Sequence, residues 1–240
     1  MKYSLFLFFV FIITTDICSQ ENKRLNYQIN AGTSLSVPHK KKINTLTMTE
    51  DQLYIEYSAA FGYFLEIMAS YDLTEKSYLM TGFNYNTNTT SIYEKAGAIE
   101  NKGEKTTSYI NVPLLFGLRS RNMSLAAGPY LGFVIRAKEK GTIYIDTTGL
   151  ITLPENESSS LSIDPVQDYD RDMTGSYKSI ATGLSAQIDY TFKLSDKLNG
   201  VFLTRFNYGL TSVLEEDELS MLIPDYWKDH SVIFGFGIKL

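Results

Sequence analysis

The chain of 240 residues carries one cysteine, two histidines, one tryptophan and six prolines, and its acidic residues outnumber its basic ones. A single thiol, Cys18, excludes an intramolecular disulfide framework, so stability must come from packing and hydrogen bonding. The net charge of -5 and pI near 5.2 give no electrostatic footprint for nucleic acid. The one basic cluster, His39-Lys40-Lys41-Lys42, is too short to change that. Past the first twenty residues no apolar run approaches the roughly 20 residues of a spanning helix, so a helical membrane protein is excluded. Convincing amphipathic helices are absent too. Apolar residues at 44% and aromatics at 13% are ample for a core, and the length suits one large or two small domains.

The first residues, MKYSLFLFFVFIITTDICSQ, place Lys2 before the apolar stretch Leu5 to Ile13 and end on Ile17-Cys18-Ser19. This is the order of a secretory signal peptide, expected to be cleaved after Ser19, which divides the chain into a leader at 1–19 and a domain at 20–240. The apolar stretch is too short for a membrane anchor. Ile17 stands where a lipoprotein signal wants a small residue, so lipidation of Cys18 is disfavoured.

What the rest of the chain has is period two. Apolar residues alternate with small or polar ones over eight segments, at 25–37, 51–69, 77–90, 107–119, 122–136, 178–192, 200–212 and 230–240, the signal of half-buried strands. The connections 70–76, 120–121 and 193–199 are short. Those at 38–50, 91–106, 137–177 and 213–229 are long, polar and rich in Asp, Glu, Lys, Ser and Thr. Short and long alternate strictly, so a meander would have one trimmed end and one elaborated end, as outer-membrane barrels do.

Alternation alone does not say which face meets water. The segment 122–136 carries Leu125, Ala127, Pro129, Leu131, Phe133 and Ile135 on one face, and Ser124, Ala126, Gly128, Tyr130 and Gly132 on the other. A soluble barrel would hide the first face and clothe the second in Lys and Glu. The second face is instead small and weakly polar, which suits a crowded interior, so the apolar face points into lipid. Edge N–H and C=O groups cannot be left in hydrocarbon, so the sheet must close. The expected fold is therefore all-β: a closed eight-stranded antiparallel up-and-down transmembrane β-barrel with short periplasmic turns and long extracellular loops.

Tyr109-Ile110-Asn111-Val112-Pro113-Leu114-Leu115, then Ala127-Gly128-Pro129-Tyr130-Leu131-Gly132, and the final Phe234-Gly235-Phe236-Gly237-Ile238-Lys239-Leu240 resemble the PorT-like outer-membrane β-barrel proteins of Bacteroidetes-type bacteria. The resemblance implies a location in the outer membrane and contact with its lipid. The last segment, with Phe234, Phe236, Ile238 and Leu240 on one face, also looks like the assembly signal read by the outer-membrane insertion machinery. Extending the alternation along each segment puts seven charged residues in the lumen as an internal network: Glu56, Glu66, Arg119, Arg136, Asp189, Arg205 and Lys239.

No catalytic residue, metal or cofactor is expected. His230 and Ser231 are adjacent on a strand and so point to opposite faces. The run Asp164 to Asp172 spaces carboxylates by two but lacks the glycine and terminal Glu of a calcium loop, and reads as a solvated acidic loop. The function expected is structural, adhesive or secretion-associated, through extracellular loops that could meet an envelope protein. A small porin-like pore, a lipid-modifying outer-membrane enzyme and a soluble secreted ligand-binding barrel are the competing readings.

Overall fold

In the computed structural model the described residues are 25–38, 42–46, 52–146, 165–196, 198–211 and 229–240. The leader and its cleavage point, His39, and residues 213–228 of the last long connection lie outside them. Ten strands follow in order: β1 Leu25–Pro38, β2 Lys42–Leu46, β3 Gln52–Asp72, β4 Ser77–Ala96, β5 Ile99–Ser120, β6 Met123–Ile145, β7 Val166–Asp172, β8 Ile180–Lys193, β9 Asn199–Gly209 and β10 Asp229–Lys239. Among the described residues the single helical element is one 3-10 turn at Thr174–Ser176.

Every pairing is antiparallel, and the order β1-β10-β9-β8-β6-β5-β4-β3 returns to its start through β1–β3, with Ile29 opposite Ile67. Eight strands therefore close a ring. Closure satisfies the backbone throughout, the condition for a sheet in hydrocarbon. The outward row of β5 (Leu114, Phe116, Leu118) and of β6 (Leu125, Leu131, Phe133) is exposed, while Leu115, Ala126 and Gly132 between them are buried. The same alternation runs through β8, where Leu184 and Ile188 are exposed and Ser185, Gln187 and Asp189 are buried. A band of exposed Leu, Ile and Phe around a polar, packed interior is the inverse of a soluble barrel, as the composition of the inward rows requires. Aromatic clusters edge the band: Phe192, Phe202 and Phe236 pack at centroid distances of 5.1 to 6.1 Å towards one end, and Tyr63 and Tyr85 at 5.8 Å towards the other.

The two ends differ. At the turn end, β3–β4, β5–β6 and β8–β9 are joined by the short stretches expected. The β5–β6 turn is only Arg121-Asn122, with Ser120 opposite Met123, and Arg121 adopts φ 48°, a left-handed conformation in a residue with a Cβ. Such a backbone costs a side-chain-bearing residue roughly 1 kcal/mol. Arg121→Gly is therefore expected to raise the urea midpoint of the barrel by an amount equivalent to about 0.5–1 kcal/mol, offset in part by the added freedom of the unfolded chain.

At the other end the expected loops are largely strand. Residues 91–106, read from sequence as a connection, continue β4 and β5 into a hairpin whose tip is Gly97-Ala98, with Gly97 at φ 54°. β6 runs on to Ile145, β7 pairs its far edge, and β2 pairs the extension of β3. The result is a six-stranded wall, β2-β3-β4-β5-β6-β7, rising from one side of the ring; we call it the crown. Cross-strand charge pairs line it, with Lys95 opposite Glu100, Glu104 opposite Lys140 and Lys105 opposite Glu139. Asp168, Asp170 and Asp172 belong to β7 rather than to a loop. Asp168 accepts from the Thr142 hydroxyl at 2.7 Å, Asp170 faces Lys138 at 3.6 Å, and Asp172 accepts from the Thr174 hydroxyl at 2.6 Å.

Two bulges separate ring from crown. In β3 the register shifts between Ala60 and Phe64, and in the β5–β6 ladder Ser108 opposes Arg136 while Tyr109 opposes Val134. Each inserts a residue and so exchanges the inward and outward rows beyond it.

Candidate functional site

The lumen is filled by side chains rather than open. At its middle the Arg205 guanidinium from β9 meets the Glu66 carboxylate from β3 in a two-pronged pair, Nη1 to Oε2 at 2.6 Å and Nη2 to Oε1 at 3.1 Å, with side-chain exposures of 2% and 0%. Glu66 also accepts from the Asn30 amide at 2.6 Å and the Asn84 amide at 3.0 Å, so both carboxylate oxygens are fully used. Arg205 donates through Nε and Nη2 to Gln187 Oε1, the former at 2.7 Å. The Gln187 amide in turn donates to Asp189 at 2.7 and 2.9 Å. A buried ion pair survives only when its remaining hydrogen-bonding capacity is met, and here amides from three other strands meet it.

Above this layer a ladder of asparagines crosses β4 and β5: Asn111 donates to Asn86 at 2.8 Å, and Asn86 to Asn88 at 3.0 Å. On the opposite wall Ser185 donates to Asn207 at 2.5 Å and Asn207 to Ser231 at 3.3 Å. Between the two lies a cavity of ≈ 20 Å³ bordered by Asn86, Asn111, Tyr130, Asn207 and Ser231, room for about one water molecule. Tyr109 closes over it by donating to Asp229. Higher still, Tyr177 brings a buried ring into the mouth, with the Lys105 ammonium 4.8 Å from its centroid. Burial pushes the Lys105 ammonium below the usual lysine range, against the pull of Asp229, Glu139 and Glu94. Burial also raises the Tyr57 phenol, and Glu94 and Glu139 add to the rise.

Below the central layer, towards the turn end, Arg119 binds Asp72 at 3.1 Å and lies 5.0 Å above the Tyr78 ring, and Asn26 donates to the same carboxylate at 3.2 Å. Lys239 completes this end, within electrostatic reach of Arg119, Asp72 and Asp189. From the central layer to the turn end the charges thus balance: Asp72, Glu66 and Asp189 against Arg119, Arg205 and Lys239.

Of the seven charged residues that alternation assigned to the lumen, the structure gathers Glu66, Asp189 and Arg205 in one network and sets Arg119 and Lys239 beneath it. Glu56 and Arg136 are not there. Both sit beyond a bulge, which turns them to the outer face: Glu56 receives the Tyr54 hydroxyl at 2.5 Å, and Arg136 is exposed beside the exposed Ile135. The residues that sequence reasoning left out are the uncharged partners, Asn30, Asn84 and Gln187, together with Asp72 at a strand end. Asp72 fell in the connection 70–76 and gains its role from Arg119, and the three amides gain theirs only by converging on Glu66 and Arg205. The outward row of β10 exposes Phe234, Phe236 and Ile238, and Leu240 just past the strand is exposed as well.

His230 and Ser231 turn to opposite faces. The His230 ring stacks on Tyr208 at 4.5 Å and its Nδ1 accepts from the Gly209 amide at 3.2 Å, whereas Ser231 meets Asn207 in the lumen. Among the described residues no group of three or more His, Cys, Asp or Glu is placed to hold a metal ion.

Three solved structures similar to this chain are neisserial surface protein A (11% identity, TM-score 0.40, covering 91% of this chain and 97% of that one), Ail, the attachment invasion locus protein of Yersinia pestis (16%, 0.40, 90% and 99%), and the outer membrane protein OprG from Pseudomonas aeruginosa (10%, 0.38, 90% and 95%). No curated protein matches the chain. The model of the outer membrane protein β-barrel domain matches residues 18–215, most of the length, and the chain belongs to that family.

Proposed function

We propose that this outer-membrane protein is a non-conducting, non-catalytic barrel whose working surface is the crown. The observation that carries the reading is the Glu66–Arg205 layer, which fills the middle of the ring with side chains exposed by only 0% and 2%. In an outer-membrane barrel the elaborated end faces outward, so the crown and the connections around it are what the cell displays, and the role is adhesive, structural or secretion-associated. Within the family the sequence is PorT-like, in the manner of Bacteroidetes-type bacteria, and the chain reaches the membrane through its cleaved leader and the insertion machinery. An envelope protein meeting the crown is its partner, and no cofactor is required.

Planar-bilayer recording of the refolded full-length protein tests the reading. The expected record is a flat baseline without stable steps. Reproducible conductance steps would overturn it in favour of a small pore.

A further inference from the structure

We infer that Arg136 is an anchor for the phosphorylated headgroup of an outer-leaflet lipid. Alternation alone would aim this guanidinium into the lumen, but the bulge opposite Ser108 and Tyr109 returns it to the outer wall. It emerges immediately above the lipid-facing band: Phe133, Ile135 and Ile180 are 40%, 46% and 55% exposed, and Phe133 and Ile180 are cross-strand neighbours. One step higher on the same strand the surface is fully polar, with Lys138 and Lys140.

Three other cations of this wall are already held in ion pairs. Lys138 pairs with Asp170 at 3.6 Å, Lys140 with Glu104 at 3.7 Å and Lys102 with Glu100 at 2.6 Å. Arg136 forms no ion pair or hydrogen bond with any described residue. The carboxylate whose charge it influences, Asp172, spends its Oδ1 on the Thr174 hydroxyl and amide at 2.6 and 2.9 Å. A strongly basic, forked donor that makes no hydrogen bond or ion pair with a described residue, set at the boundary between hydrocarbon and water, matches a phosphate in the headgroup layer, which it can grip with two parallel hydrogen bonds. The apolar residues directly below supply the surface along which that lipid's acyl chains run. This second half of the site distinguishes a lipid from a free phosphate, and juxtamembrane arginine is the residue type that anionic lipid layers attract.

Full-length protein in neutral detergent micelles, titrated with diphosphoryl lipid A, with its dephosphorylated form and with inorganic pyrophosphate, tests the inference by native mass spectrometry of the bound adducts. Lipid A is expected to bind tighter than either control. Arg136→Gln should weaken it about tenfold, the loss of one charge-assisted pair. Arg136→Lys should keep part of the affinity, and Arg121→Gln, at the turn end, should change nothing. The heat-modifiable gel band shows that each variant is folded. Equal affinity in wild type and Arg136→Gln overturns the proposal, as does pyrophosphate binding as tightly as lipid A, which would make the site one for free phosphate.

Discussion

Arg205→Ala is expected to be among the most destabilising single changes in the lumen, lowering the unfolding free energy by about 3–5 kcal/mol. The pair it breaks is wholly buried, with Glu66 at 0% and Arg205 at 2% side-chain exposure. Removing the guanidinium leaves the Glu66 carboxylate held by two neutral amides alone, Asn30 and Asn84, and strips Gln187 Oε1 of its donor. The cost is thus mostly that of a stranded charge, not the net worth of the pair. Glu66→Gln in the Arg205→Ala background removes that charge and should recover a large part of the loss. Urea titration in lipid vesicles, read by the mobility of unheated samples, measures both. If the double variant is as unstable as the sum of its two single variants, the two residues are not coupled and the central layer is not an ion-pair barrier.

The ring was legible in the sequence because each of its strands meets two different solvents, lipid and a packed polar lumen, and that difference writes period two into the residues. β5 and β6 show it most clearly, from Tyr109 to Leu118 and from Leu125 to Phe133. The crown was not legible as strand. Residues 91–106 face water at least on one side, so Lys, Glu, Thr and Tyr occupy both rows and the apolar alternation disappears, although cross-strand pairs such as Glu104 with Lys140 hold the sheet together. The bulges were invisible for a related reason. An inserted residue leaves no mark in a stretch like Ser58-Ala59-Ala60-Phe61-Gly62, where neither row is strongly apolar, and so Glu56 was carried inward on a parity that the structure breaks. Charge drew attention to Glu66, Asp189 and Arg205, whereas Asn30, Asn84 and Gln187 carry no such flag and became part of the site only through the register that brings β1, β4 and β8 to the same height.

The face assignment itself has a sharp test in Leu114→Arg. Leu114 lies at the centre of the outward row of β5, 55% exposed, between Val112 and Phe116. An arginine at the bilayer midplane on the lipid side of a barrel costs about 2–4 kcal/mol, and the penalty falls towards zero at the interfaces. The same strand supplies its own control: ten residues earlier on the same outward row Glu104 already carries a charge, paired with Lys140 at 3.7 Å. Glu104→Arg should therefore cost only about 1 kcal/mol, since an exposed pair is lost and a like charge is set opposite Lys140 in water. The two substitutions place the same side chain on one face of one strand, one in hydrocarbon and one in water. A large difference between them in folding yield and urea midpoint fixes the height at which β5 leaves the lipid. Equal tolerance at both positions would mean that Leu114 does not face lipid, and the exposed apolar band would need another explanation.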